Sequence, residues 1–133
     1  VKPWLYQDQP ITDPPSEMFG FVYRLVNLSS GRAYIGKKQF WSYRSVKVKG
    51  RKNRKRVVLE SDWRTYCGSC KELKKDQKAG QEFSREILKM CVSKSELGYS
   101  EVEYQIKLDV LTGRLPSGLR AFYNGNIMSR WFA

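Results

Sequence analysis

Phe19-Gly-Phe-Val-Tyr-Arg-Leu-Val-Asn27, Leu28-Ser-Ser-Gly-Arg32 and Ala33-Tyr-Ile-Gly36 follow one another in the chain, and their reading decides the fold. The first piece is rich in β-branched and aromatic residues with partial alternation, the composition of a strand. The second is turn chemistry and the third opens another strand, so together they predict a β-hairpin. Tyr23 and Tyr34 fall on its two arms, and the hairpin folds them toward each other. Strand tyrosines commonly do no more than pack. What singles out this pair is the sequence that follows: Gly36 permits close backbone approach, and Lys37, Lys38 and then Arg44 come directly downstream.

Working outward from the hairpin, the aromatic-basic stretch from Lys37 to Tyr43 can be helical. It runs into a basic insert at about 45–58, where Lys47, Lys49, Arg51, Lys52, Arg54, Lys55 and Arg56 put seven cations into ten residues without an acid. Self-repulsion predicts a flexible, exposed loop there. Such cations, with Lys38, could neutralise several phosphates and give affinity that falls steeply with salt; the bland reading is a nuclear-localisation-like or solvated patch. Trp41, Tyr43 and Trp63 either stack on bases or pack. Ser69-Cys-Lys-Glu72 has capping-box form and opens a short helix ending near Gly80. Phe83 to Cys91 reads as a third strand. Ser93-Lys-Ser-Glu96 is a second capping box, starting a helix through about Leu111. Gly113, Pro116 and Gly118 break it, and Ala121 begins a terminal segment. Upstream, Pro3, Pro10, Pro14 and Pro15 make residues 1–18 an extended arm pinned by Trp4, Leu5 and Tyr6, which leaves 19–133 as a single domain. The expected fold is α+β, a small, mainly antiparallel three-stranded sheet flanked by helices.

Composition narrows the function. The 133 residues suit one compact domain. A net charge of +12 points to a polyanion, with nucleic acid first and an anionic membrane surface second. No apolar run is long enough to span a bilayer and no signal-peptide core begins the chain, so the expectation is a soluble cytoplasmic protein with no membrane partner. Histidine is absent, which excludes Ser-His-Asp and Cys-His nucleophile systems and a histidine base. Three cysteines do not make a disulfide framework. Cys67-Gly-Ser-Cys70 with Cys91 falls one ligand short of a structural zinc site. No apolar strand precedes the pair as a thioredoxin-like site would want, so the motif is read as incidental.

Phe21-Val-Tyr23, Tyr34-Ile-Gly36, Arg44, a carboxylate in the helix after the third strand (Glu101, with Glu103 second) and Tyr123-Asn124 occur in one order over most of residues 19–126. The pattern resembles the GIY-YIG nuclease family. More narrowly, Tyr34-Ile-Gly-Lys-Lys38, the basic insert, and Glu60-Ser-Asp-Trp63 ahead of a Tyr-x-Gly-Ser stretch look like small phage-encoded, homing-endonuclease-like members. Phe21 stands where the family has its first glycine, with Gly20 beside it. Val48 stands where some members carry a histidine.

What the resemblance implies is a metal-dependent endonuclease that hydrolyses DNA phosphodiesters to 5′-phosphate and 3′-hydroxyl ends. Tyr23 would activate the water, its phenolate made accessible by Lys37 or Arg44 and a metal-bound water. Tyr34 would hydrogen-bond around the nucleophile or phosphate, Arg44 would stabilise charge, and Asn124 would be a supporting hydrogen-bonder. Glu101 alone would bind Mg²⁺ (or Mn²⁺), leaving water and phosphate oxygens to fill the octahedron. No small-molecule cofactor is expected, and a homodimer is one route to double-strand cutting. Each residue has a plainer reading: Arg44 as one more surface cation, Glu101 as a solvated carboxylate near Lys94 or Gln105, Asn124 as a turn residue. The alternative for the whole chain is a non-catalytic basic module that binds DNA or RNA.

Overall fold

The computed structural model describes residues 2–132. The chain forms β1 (Trp4–Tyr6), β2 (Gln9–Ile11), β3 (Gly20–Asn27), β4 (Ala33–Gln39), β5 (Trp41–Val46), β6 (Lys55–Glu60), α1 (Lys71–Lys78), β7 (Phe83–Cys91) and α2 (Lys94–Lys107). The class is α+β, but the main sheet is larger than the three strands expected. It is mixed and five-stranded, in the order β2-β1-β7-β3-β4, with β5 and β6 forming a separate two-stranded ribbon.

The predicted hairpin is β3–β4, paired antiparallel from Gly20↔Gln39 to Val26↔Ala33. Its β3 arm is interior on both sides. Phe21, Tyr23 and Leu25 enter one apolar cluster with Trp4, Phe40, Trp63 and Leu73, while Val22 joins Ile35, Leu97 and Val110 in the other. Period-2 alternation puts successive residues on opposite faces, and both faces are covered, which is why the sequence alternates only partly. The register of β3 on β7 shifts between Val22 and Tyr23, so Leu88 is an extra residue on β7. That bulge lets Ile87 and Met90, three apart, both pack against the first cluster.

The proline-rich start is not a bare arm. Its strands β1 and β2 pair with each other, and β1 runs parallel to β7 through Leu5↔Glu86 and Tyr6↔Ile87. Pro10 is tolerated because β2 is the outermost strand and its missing N–H leaves no ladder bond unmade. Arg85 staples this segment down. Its guanidinium lies 4.1 Å from the Trp4 ring centroid and donates to the carbonyls of Lys2, Arg64 (2.9 Å) and Tyr66 (2.8 Å).

Three further expectations need correction. The Lys37–Tyr43 stretch is strand, not helix, because β4 runs on to Gln39 and β5 starts at Trp41. The basic insert is a loop only in its middle: Tyr43↔Val58 and Arg44↔Val57 pair across its arms, while residues 47–54, with five of the seven cations, form the exposed end of the ribbon, where Arg54 donates to the Ser45 carbonyl at 2.8 Å. Helix α1 is capped at Cys70 without a side-chain bond, so the Ser69 capping box does not form. The Ser93 cap does form: its Oγ accepts from Glu96 N at 3.1 Å, while Glu96 Oε1 reaches one residue past the cap to accept from Val92 N at 3.0 Å. Among the described residues no helix is long and apolar enough to cross a membrane.

Candidate active site

Strand β4 is the edge strand at the opposite side of the sheet from β2, and the candidate residues gather around its free edge. Alternation places Tyr34, Gly36 and Lys38 on one face, with Ile35 and Lys37 on the other. The edge is closed only over its first half. The tail pairs there through Ala33 and Phe122. Asn124 then takes over: its Oδ1 accepts from the Ile35 N–H at 3.1 Å and its Nδ2 donates to the Ile35 carbonyl at 2.8 Å. The side-chain amide thus replaces the next strand residue. Gln105 of α2 adds a bond to the same carbonyl at 3.2 Å. Asn124 is therefore a buried clamp on β4, not an exposed turn residue.

Beyond the clamp the sheet edge opens into a basin of about 630 Å³ lined by Tyr34, Lys37, Ser69, Lys71, Glu101 and Asn124, among others. Glu101 comes from α2, packed on the Ile35 face, and its Oε1 lies 4.0 Å from Lys37 Nζ. Burial raises the Glu101 carboxyl above the ordinary carboxylate range, and Lys37 pulls it only part of the way back. Tyr34 is half-buried and its phenol is pushed up, first by burial, with Ser69 opposing.

Tyr23 stands directly behind this basin. Its ring centroid is 6.2 Å from that of Tyr34 and 6.1 Å from that of Tyr66, which meets it edge-on. It is only 1% exposed. Burial drives its phenol far above the usual tyrosine range, and the neighbouring Tyr66, Tyr34 and Glu101 push the same way. That direction runs against the accessible phenolate expected of Tyr23.

Gly36 explains how the two phenols sit so close. Tyr23 and Gly36 are paired across the hairpin. A Cβ at Gly36 would lie 2.5 Å from the Tyr23 hydroxyl oxygen and 3.0 Å from Tyr34 Cε2. Gly36→Ala should therefore destabilise the domain by about 1–3 kcal/mol through overpacking, displacing both tyrosines. Urea denaturation followed by circular dichroism checks this, and wild-type stability would show that the phenols are not held as described.

A second basin adjoins the first, with Lys37 as the shared wall. It is lined by Lys38, Trp41, Ser42, Arg44, Asp62, Tyr66 and Lys94, among others. Arg44 is thus brought near the site but on the ribbon side of Lys37, and among the described residues its one side-chain hydrogen bond is to Ser42 Oγ at 3.4 Å. Lys38 is tied to Asp62 at 2.5 Å and lies 4.3 Å from the Tyr66 ring centroid. That ion pair holds the Asp62 carboxyl below its usual range. Lys47, Lys49, Arg51, Lys52, Arg54, Lys55 and Arg56 sit at the far end of the ribbon, and all seven are exposed.

Sequence reasoning missed Tyr66 and Ser69, although their Tyr-x-Gly-Ser stretch was visible. It also missed Gln105, and Lys71 at the start of α1. Cys67, Cys70 and Cys91 are free thiols. A family model described as "Putative endonuclease segE, GIY-YIG domain" matches residues 4–127. No curated protein and no solved structure matches the chain.

Proposed function

The chain belongs to the GIY-YIG endonuclease family, and from that premise we propose that it hydrolyses DNA phosphodiester bonds with Mg²⁺ (or Mn²⁺) at the basin around Tyr34, Lys37 and Glu101. The observation that carries this reading is the meeting of those three side chains at an open strand edge, with the Tyr23 phenol behind them.

The donor set suits a hard divalent ion. Glu101 is a partly buried carboxylate whose one charged neighbour, Lys37, is 4.0 Å away, and among the described residues no donor hydrogen-bonds it. Among those residues no group of three or more His, Cys, Asp or Glu could hold a metal, which fits Mg²⁺ better than a closed site, because Mg²⁺ keeps several waters and substrate oxygens. Bound there, the ion would lower the pKa of a water and offset charge on the phosphate. Lys37 would orient the scissile phosphate from the other side of the basin. Tyr34, kept protonated by its burial, would donate a hydrogen bond to the nucleophile or to a phosphate oxygen. Tyr23 is better suited to donating through Tyr34's side of the basin than to serving as a base, since its phenol resists ionisation. Arg44 would hold a neighbouring phosphate from the ribbon.

One such site cuts one strand. A double-strand break would take two copies or two successive nicks. The setting proposed is the cytoplasm, that of the host cell if the chain is phage-encoded, with no small-molecule cofactor. Supercoiled plasmid incubated with the wild-type protein and Mg²⁺ should be nicked or linearised. Lys37→Ala and Arg44→Ala should bind the plasmid and cut it roughly 10²–10³-fold more slowly. Retardation without cutting under both Mg²⁺ and Mn²⁺ would sink the nuclease reading and leave a basic nucleic-acid-binding module.

A further inference from the structure

We propose that the outer face of α1 is a second DNA-backbone track, which carries the duplex away from the basin on the side opposite the β5–β6 ribbon. The proposal rests on the nuclease reading only for the identity of the polyanion.

Lys71, Lys74, Lys75 and Lys78 recur at the spacing that puts side chains on one side of a helix, and all four are exposed. At 3.6 residues per turn they fall within an arc of about 100°. Like charges three and four apart repel, so an isolated helix gains nothing from this arrangement. The acids of the same helix do not relieve it. Glu72 is taken by Arg32 at 2.5 Å, and Asp76 accepts from the Tyr123 hydroxyl at 2.6 Å. Both acids are turned toward the body of the protein beside Leu73, which is fully buried. Among the described residues none of the four lysines makes an ion pair. The result is a fixed strip of uncompensated positive charge.

Its location identifies the partner. Lys71 lines the basin that holds Tyr34 and Glu101, while Arg44 lines the adjoining basin across Lys37. The cationic surface therefore runs from the α1 lysines, past the site, to the ribbon. Lys71 and Lys78 are separated by about 10 Å along the helix axis at 1.5 Å per residue. Over that length one strand of B-DNA presents about three phosphates, at roughly 3.4 Å each. A small acidic ligand would need only one or two of these lysines.

The test measures binding of a 30-base-pair duplex without divalent ion, across salt concentrations, by fluorescence anisotropy. Neutralising about three contacts should reduce the slope of log affinity against log salt by about 2.7, at roughly 0.9 per phosphate. The affinity lost between 50 and 200 mM salt should then be about 40-fold smaller for K71Q/K74Q/K75Q/K78Q than for wild type, from the same slope. Glutamine keeps similar helix propensity, and circular dichroism verifies that the helix and the fold persist. A matched variant, K2Q/K89Q/K107Q/R114Q, removes the same charge elsewhere and should keep the wild-type slope. Hydroxyl-radical footprinting should show protection lost on one flank of the site with the α1 variant, and on the other with a variant neutralising Lys52, Arg54, Lys55 and Arg56. A wild-type slope in the folded α1 variant overturns the proposal, as does a reduced slope seen with RNA but not with DNA. Plasmid cutting reads the nuclease activity separately: a protein that never cuts but shows the flattened slope retains this surface and loses only the catalytic reading.

Discussion

Glu101→Gln should abolish cleavage while leaving DNA binding intact and making the folded protein more stable at neutral pH. The loss of activity should be on the order of 10³-fold or more, because the carboxylate proposed to hold the metal would supply several kcal/mol of transition-state stabilisation. The gain in stability follows from burial. The folded carboxyl has its pKa raised above the unfolded value, so the native state binds the proton more tightly than the unfolded chain does. Ionising Glu101 therefore costs stability as pH rises through its folded pKa, and that cost is fully present above it. Below the unfolded value the carboxyl is protonated in both states and the cost disappears. Thermal unfolding of the two proteins should differ most near pH 8, with the variant higher, and should converge in acid. A variant that melts below wild type at pH 8 would mean that Lys37 already compensates Glu101, leaving little for a cation to do.

The second large effect is on folding. Trp4→Ala should destabilise the domain by about 3–5 kcal/mol, the usual cost of removing a buried tryptophan. Trp4 is 0% exposed. Its ring centroid lies 5.2 Å from that of Phe21 and 5.1 Å from that of Tyr23, and its indole N–H donates to the Trp63 carbonyl at 2.7 Å. The substitution would empty that space, orphan the carbonyl and leave the Arg85 guanidinium without the ring it rests on. A small domain has only about 5–15 kcal/mol in total, so the urea midpoint should fall far. A change under about 1 kcal/mol would mean that the N-terminal segment is an appendage after all.

That segment shows where sequence reading loses its grip. Trp4 and Tyr6 lie in a strand whose partner on the main sheet, β7, is some eighty positions away, and no local pattern announces a parallel pairing at that distance. The four early prolines, sound evidence against a helix, said nothing against an outer strand. The third strand was legible to its ends, Phe83–Cys91, because alternation and flanking turns agree there. The arms of the ribbon were missed for a different reason. Repulsion among its cations is real, but Val57 and Val58 on one arm and Tyr43 and Val46 on the other give it strand character that a count of charges conceals.

The site divides in the same manner. Tyr34, Lys37 and Glu101 were singled out by resemblance to a family pattern, and the fold brings them to one basin, α2 carrying Glu101 across the Ile35 face. Tyr23 was singled out in the same way, but its near-complete burial depends on Trp4, Tyr66 and Phe21, which come from three separate parts of the chain. Lys71 was hidden for the same reason: its nearness to Glu101 exists only once α1 has docked through Leu73.

The amide of Asn124 has one more consequence. By occupying both hydrogen-bonding groups of Ile35, it leaves that stretch of the sheet with nothing to offer an intruding strand from a second molecule. Growth of the sheet by stacking copies side by side is thus blocked over the Ala33–Ile35 half of this border, and only the stretch beyond it, where the basin opens, keeps its backbone groups free of that clamp.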